Sequence, residues 1–269
     1  MPELPEVEFA RRQLAARTSG KRILTADVIG PGVDAPPSEL RRWKGALTRD
    51  VLRRGKTLLW LVGDDGAAAL LHFGMTGGFK HVPLDGPTPP HTRVLWRFDD
   101  GGGLALTDPR RFGHVRFADA LRLRADRLFA RAAADPLADA WTSTHLIRAY
   151  AHVRTPLKPA LMDQARLLGL GNIHAAEACF RARIDPRRPA GSLERPEFLR
   201  LHAAIVETIA YGLATLGDVD EDVRYAEPGQ ANPFLVYDRK GLPCPGCGAP
   251  IARFVQATRS TYACLDCQN

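Results

Sequence analysis

The sequence predicts an α+β multidomain chain: an antiparallel β region behind one N-terminal helix, an all-α middle, and a small C-terminal metal module. Three observations predict it. β-like apolar runs crowd the first 120 or so of the 269 residues, helical spacing takes over from about Ala125, and four cysteines gather near the C-terminus in two C-x2-C pairs. With 45% hydrophobic and 25% charged residues, the composition excludes a disordered chain, a collagen and a small disulfide scaffold. No apolar run approaches the roughly 18 residues a membrane span needs, and the start, MPELPEVEFARR, has no apolar core of a secretory leader. A cytoplasmic protein with no membrane partner is expected.

In chain order, Pro5 suits the first turn of a helix, Glu6 and Glu8 favour its positive end, and Val7, Ala10 and Leu14 give it a buried face. Ile23–Ile29, Val51–Val62, Ala67–Phe73, Arg93–Phe98, Leu104–Thr107 and His114–Phe117 then read as strands of a sandwich or barrel. The Asp-Asp-Gly-Gly-Gly run between Phe98 and Leu104 supplies a hairpin turn. Leu146–Val153, Pro159–Arg166, Ile173–Ala182 and Pro196–Leu216 have helical periodicity, punctuated by Pro and Gly. The acidic stretch Gly217–Pro233 reads as a mobile loop, and Leu235–Asn269 as the metal module.

Cys244-Pro-Gly-Cys247 and Cys264-Leu-Asp-Cys267, sixteen residues apart, offer four thiolates to one tetrahedral Zn2+. Gly246 and Gly248 give the freedom each knuckle's turn needs. Two disulfides or a redox pair would use the same residues, but a reducing compartment disfavours them. Four sulfur ligands leave no open position, so this metal is structural. Cys179, inside AAEACF, reads as a small buried hydrophobe.

The formal charge of +7 favours phosphate-bearing partners, and it is unevenly spread. From Trp141 to Ala190 there are eight basic and three acidic residues; from Leu216 to Gln230 there are five acids and one Arg. A solvated helical surface could carry the same charges. Within the basic stretch, Leu168-Gly-Leu-Gly-Asn172-Ile-His174 joins a glycine turn to a helix start, either an anion site for a DNA phosphate or simply an interhelical turn capped by Asn172. At the other end, removal of Met1 would expose Pro2 as a secondary amine. An α-amino group with pKa about 8 is partly neutral at pH 7, and a following helix N-terminus lowers it further. Such an amine forms an iminium with an aldehyde-like carbon, and Glu3 beside it could shuttle protons.

The motifs MPELPEVE, Arg54-Gly-Lys56, His72-Phe-Gly-Met75, Thr107-Asp-Pro-Arg-Arg-Phe-Gly113, Gly169-Leu-Gly-Asn172-Ile and VYDRKGLPC with its C-x2-C tail occur in that order. Together, across the whole chain, they resemble the formamidopyrimidine-DNA glycosylase family, which includes endonuclease VIII. The resemblance implies an N-terminal catalytic β-sandwich (residues 1–122), a helix–two-turn–helix DNA-binding domain (123–233, with a lesion-side loop at 217–233) and a four-cysteine zinc finger (234–269), with DNA in a cleft. By position, Pro2 resembles the nucleophile that attacks the sugar C1′, and Glu3 the acid/base that opens the sugar. Glu6 resembles a supporting carboxylate, and Lys56 the lysine that contacts phosphate and assists cleavage. Asn172 and Arg259 resemble the pair that grips the lesion's phosphates, Arg259 also standing among the catalytic residues. Met75, Arg110 and Phe112 resemble the residues that fill the hole left by an extruded base. His72, His91 and His174 complete the implied DNA-binding set.

Those roles suit the residue types. A base inside a duplex must leave the stack before its C1′ is reachable, and apolar wedges with an Arg can take its place. Taken singly, Met75 and Phe112 could be core, Arg110 a turn residue and Lys56 a solvated lysine. Two departures from the family pattern stand out: His174 replaces a customary Tyr, and residues 217–233 lack the Gly-Gly-Thr-Thr run of guanine-excising members. Leu4 and the Asp-Pro-Arg-Arg-Phe-Gly motif favour the formamidopyrimidine branch. The resemblance therefore implies a monomeric base-excision enzyme acting on double-stranded DNA with a damaged base or abasic site. It would remove formamidopyrimidines and 8-oxoguanine through a Pro2 Schiff base and β,δ-elimination, with one structural zinc as its cofactor. The alternatives are an endonuclease VIII-like enzyme for oxidised pyrimidines and a non-catalytic damage binder of the same fold.

Overall fold

The computed structural model describes residues 2–138, 140–217 and 232–269. The expectations for most of the acidic loop fall on residues 218–231, outside the described residues. Among the described residues the chain divides into two compact units, residues 2–131 with 216–217, and residues 132–215 with 232–269.

The first unit opens with α1 (Leu4–Thr18), in which Pro5 occupies the first turn and the Glu3 backbone N–H donates to Glu6 Oε2 at 2.9 Å. Its expected face, Val7, Ala10 and Leu14, is buried. Next come β1 (Ile23–Val28), the two-residue β2 (Val33–Asp34) and the short α2 (Pro37–Arg41). The run expected over Val51–Val62 is a hairpin, β3 (Thr48–Arg54) and β4 (Thr57–Val62), turned at Gly55-Lys56. β5 (Ala67–His72), β6 (Gly78–Val82), β7 (Thr92–Phe98), β8 (Gly103–Thr107), β9 (His114–Asp119) and α3 (Ala120–Arg124) follow.

These strands form a sandwich of two sheets, ordered β2-β9-β5-β4-β3 and β1-β7-β8-β6. The architecture is the expected sandwich, except that β2 joins β9 in parallel rather than antiparallel fashion. Leu58, Trp60 and Phe117 from one sheet meet Val94, Trp96 and Leu104 from the other in a shared core, alternate residues of each strand pointing inward. Trp43, carried just beyond α2, inserts among them with its ring centroid 4.9 Å from Trp60 and 6.2 Å from Trp96. Burying large aromatic side chains there holds the two layers in register.

The second unit is helical: α4 (Ser143–Tyr150), α5 (Leu157–Leu161), α6 (Asn172–Ala182) and α7 (Arg195–Ala214). The helix expected over Pro159–Arg166 stops at Leu161. Asp163 Oδ1 instead accepts the Ala165 N–H at 2.9 Å, and the Gln164 amide donates to Met162 O and Leu170 O, so side chains take over from the helical ladder. α6 ends in a left-handed residue, Arg183 at φ 57°. The β10 (Ala252–Gln256) and β11 (Arg259–Ala263) hairpin follows, packed with Val236, Ile251 and the cysteines into a small core. No helix among the described residues is long and apolar enough to cross a membrane.

Candidate active site and metal centre

Pro2 is partly exposed and directly precedes two buried carboxylates, Glu3 at 2% and Glu6 at 4% exposure. Glu3 is the N-cap of α1, so the carboxyl group and the chain N-terminal to it lie at the positive end of a fifteen-residue helix. α1 is tied to β3 by Arg53 Nε, which donates to Glu8 Oε2 at 3.1 Å.

Lys56 is half-buried in the two-residue turn between β3 and β4, a turn made possible by Gly55 at φ 54°. His72, at the end of β5, pairs across the sheet with Thr57 on one side and His114 on the other. Its Nδ1 accepts the Gly74 N–H at 3.2 Å. Burial first, then the charges of His114, Lys56 and Arg131, push the His72 pKa down to about 4, so the ring is neutral at pH 7.

Immediately after His72 the structure brings two loops together. Met75 and Phe112, one on each loop, are exposed at 38% and 52%. The Arg110 guanidinium lies 4.9 Å from the centre of the Phe112 ring. Gly74, at φ 61°, presses against the other loop: a Cβ there would stand 2.4 Å from the Phe112 carbonyl carbon. Asp108 lies buried beneath them, accepting from Thr76 Oγ1 at 2.7 Å and from the Gly113 N–H at 2.8 Å. His91 is exposed and left-handed (φ 62°), and its carbonyl accepts the Asp108 N–H at 3.0 Å.

In the second unit, the Gly169 turn (φ 92°) leads into α6, whose N-cap is Gly171; Asn172 is therefore the first helical residue rather than the expected cap. Gln164 shapes this turn, accepting the Gly169 N–H at 2.8 Å while donating to Leu170 O at 2.9 Å. Asn172 is held by Lys158, which is fully buried and donates from Nζ to Asn172 Oδ1 at 2.6 Å, Ser260 O at 3.0 Å and Thr261 Oγ1 at 3.0 Å. Lys158 thus joins the start of α6 to β11, the strand whose first residue is the exposed Arg259. His174 is 1% exposed, its ring edge-on to Phe234. Glu177 is buried and accepts the backbone N–H groups of Leu235, Val236 and Tyr237 at 2.9–3.0 Å.

Sequence reasoning missed Lys158, Gln164, Glu177 and Asp108. Lysine scarcity was the usable signal for the first, one of only six in the chain. Glu177, an acid inside an otherwise apolar helical run, was the signal for the third.

The four Sγ atoms of Cys244, Cys247, Cys264 and Cys267 lie within 4.8 Å of one another, with Cys244–Cys267 at 3.9 Å and Cys247–Cys264 at 3.4 Å. Ligands about 2.3 Å from a tetrahedral Zn2+ stand about 3.8 Å apart, so this donor set fits one zinc ion. The separations are far from a disulfide bond, and all five cysteines are free. Gly248 takes positive φ in the first knuckle, whereas Gly246 serves through its N–H, which donates to Cys244 Sγ at 3.3 Å. Cys179 is fully buried, its thiol pushed up to about 12 by desolvation, as expected of an inert packing residue.

Comparisons with known proteins agree with this anatomy. Residues 1–115 match the formamidopyrimidine-DNA glycosylase N-terminal domain, residues 132–221 the H2TH domain of the same enzyme, and residues 241–269 the zinc finger found in FPG and IleRS. The formamidopyrimidine-DNA glycosylase of Methylobacterium radiotolerans is 37% identical, over 100% of this chain and 99% of the relative. The structure of Lactococcus lactis Fpg with abasic-site DNA superposes with a TM-score of 0.88 at 27% identity, covering 99% of each chain. A MutM structure with carbocyclic 8-oxo-G DNA gives 0.87 at 27% identity, again over 99% of each chain. With all three modules present in order and a relative matched end to end, the chain belongs to the formamidopyrimidine-DNA glycosylase family.

Proposed function

We propose that this protein is a bifunctional DNA glycosylase and abasic-site lyase that excises oxidised purines, formamidopyrimidines and 8-oxoguanine, from double-stranded DNA. The observation that carries the reading is the N-terminal constellation: Pro2 stands at the head of a helix whose first turn buries Glu3 and Glu6. The family supports it, as do the abasic and 8-oxo-G DNA held by the two structural relatives.

With Met1 removed, the Pro2 nitrogen attacks C1′ of the extruded nucleotide. The bond to the damaged base breaks, and the base departs with a proton. Glu3 passes a proton to the ring oxygen as the sugar opens, leaving an iminium between Pro2 and C1′. Loss of a C2′ proton then expels the 3′ phosphate, and a second elimination expels the 5′ phosphate. Water hydrolyses the iminium and returns the amine. Glu6 holds the Glu3 backbone in place. Lys56 and Arg259 meet phosphates and stabilise the departing charge. His72, His91 and Asn172 bind the backbone, the Asn172 oxygen being held by Lys158 and one amide N–H meeting Tyr237 OH at 3.4 Å, so that the second amide N–H can face phosphate. His174, buried beside Phe234, supports the turn that presents Asn172. Met75, Arg110 and Phe112 occupy the vacated stack. When bound, zinc supplies rigidity to the hairpin that carries Arg259, and no chemistry.

Borohydride trapping on an 8-oxoguanine:cytosine duplex tests the reading, with a dihydrothymine duplex and a Pro2→Gly variant alongside. The expected result is a covalent adduct on the guanine lesion, mapped to Pro2. Adducts on dihydrothymine alone would move the protein to oxidised pyrimidines. No adduct on either duplex, with Met1 shown to be absent, would leave a damage binder.

A further inference from the structure

Asp108, only 3% exposed, is buried beneath the proposed wedge residues rather than presented to DNA. Its two oxygens divide the work. Oδ1 accepts from Thr76 Oγ1 in the loop that carries Met75, and Oδ2 accepts from the Gly113 N–H in the loop that carries Arg110 and Phe112. The same Oδ2 faces Arg93 Nη1 at 3.3 Å; Arg93 is equally buried, and its Nη2 donates to Gly32 O at 3.0 Å. Thr76 closes a second link, because its hydroxyl oxygen also accepts the Arg110 N–H at 3.2 Å. The Gly74–Phe112 backbone contact presses the two loops together at their bases. Both apolar tips are thus exposed while their polar roots converge on a single carboxylate.

We infer that Asp108 is a positioning residue that fuses the Met75 loop and the Arg110–Phe112 loop into one rigid wedge, coupling entry into the emptied stack to reading of the opposite base. The inference rests on the proposed base-extruding function and adds to it a determinant of opposite-base specificity. The physical ground is acceptor count. A carboxylate can serve Thr76, Gly113 and Arg93 at once, whereas an amide has one acceptor oxygen and must turn a donor toward another donor. Two loops joined through a buried, charge-assisted hub move together, and separate loops would each have to be ordered when DNA binds.

The test compares the full-length, zinc-loaded wild type with Thr76→Val and Asp108→Asn. Thr76→Val keeps the side-chain shape and leaves the buried Asp108–Arg93 pair intact, so it remains informative if Asp108→Asn fails to fold. The readouts are excision rates opposite cytosine and adenine, and cleavage of single-stranded abasic DNA, which has no opposite base. Thr76→Val is expected to lower the cytosine-over-adenine preference by about fivefold, the ratio that one ordinary hydrogen bond is worth. Its single-stranded cleavage is expected to stay within about twofold of wild type, since single-stranded DNA offers no opposite base for the wedge to read. An unchanged preference overturns the inference, as does an equal loss on all three substrates, which is the mark of a general structural defect. A third readout needs no chemistry: fluorescence of 2-aminopurine placed opposite a non-cleavable abasic analogue. If wild type cleaves nothing, the proposed function fails, and this signal still decides the inference. A change on binding wild type that Thr76→Val loses supports it, and equal changes overturn it.

Discussion

Lys158 shows how much one side chain can hold. A fully buried ammonium costs several kcal/mol unless its donors are used, and its Nζ reaches Asn172, Ser260 and Thr261. Lys158→Met keeps the volume but strands those acceptors, so it is expected to destabilise the protein by about 2–4 kcal/mol. Affinity for an abasic-analogue duplex should fall about tenfold as Asn172 loses its orientation. Urea melts and fluorescence anisotropy would show both. His72 makes a second prediction, this one in pH. Its folded pKa, about 4, lies below the ordinary value of 6.5. The unfolded chain therefore takes up a proton that the folded protein refuses between those values. The contribution is fully present above pH 6.5 and is lost as the pH falls toward 4. At pH 5 it amounts to about 1–2 kcal/mol. His72→Asn retains an acceptor for the Gly74 N–H but does not titrate, so its urea stability should fall less than wild type between pH 7.5 and 5. An identical fall in both proteins would remove His72 as the source.

The hairpin of β10 and β11 shows an element shaped against local preference. Its two-residue turn is Ala257-Thr258, both left-handed at φ 44° and 66°, where Asn-Gly is the favoured pair. Each such residue costs about 1 kcal/mol or more, and the next residue is Arg259. Replacing the pair by Asn-Gly is expected to raise the thermal midpoint of the zinc-loaded protein by a few degrees, equivalent to about 1 kcal/mol. The sequence carried some elements openly and concealed others. α1, α6 and α7 announce themselves through Pro placement and apolar spacing, and the β7–β8 hairpin through its glycines. β6, Gly-Phe-Lys-His-Val, was missed because two polar residues interrupt its apolar pattern, and β2 is too short to show any period. α5 ends early because Asp163 closes a local turn onto the Ala165 N–H and Gln164 reaches on to Leu170 O, bonds that apolar periodicity does not show. Likewise the cysteine spacing disclosed the metal centre, but the buried supports of the site, Asp108, Lys158 and Glu177, became visible only when distant strands and turns were brought beside them.

For the whole molecule, charge and metal decide how DNA is held. Affinity built on phosphate contacts falls steeply with salt, and each lost contact reduces the slope of log affinity against log salt by about one. Arg259→Ala should therefore weaken binding and flatten that slope by about one, measured on an abasic-analogue duplex. Chelation of zinc should remove the same contact by releasing the hairpin, since a four-thiolate site and its fold are thermodynamically one. The sandwich should survive chelation, because its core contains none of the cysteine ligands.

Trp43, Trp60 and Trp96 share that core, with Trp60 and Trp96 centroids 5.0 Å apart and Trp43 against both. Indoles this close do not absorb as separate dyes; their transition dipoles couple and split the excited state. The triad should give the circular dichroism of this protein an excitonic couplet in the strong far-ultraviolet indole band, belonging to the sandwich alone, an optical signature of one unit within a two-unit chain.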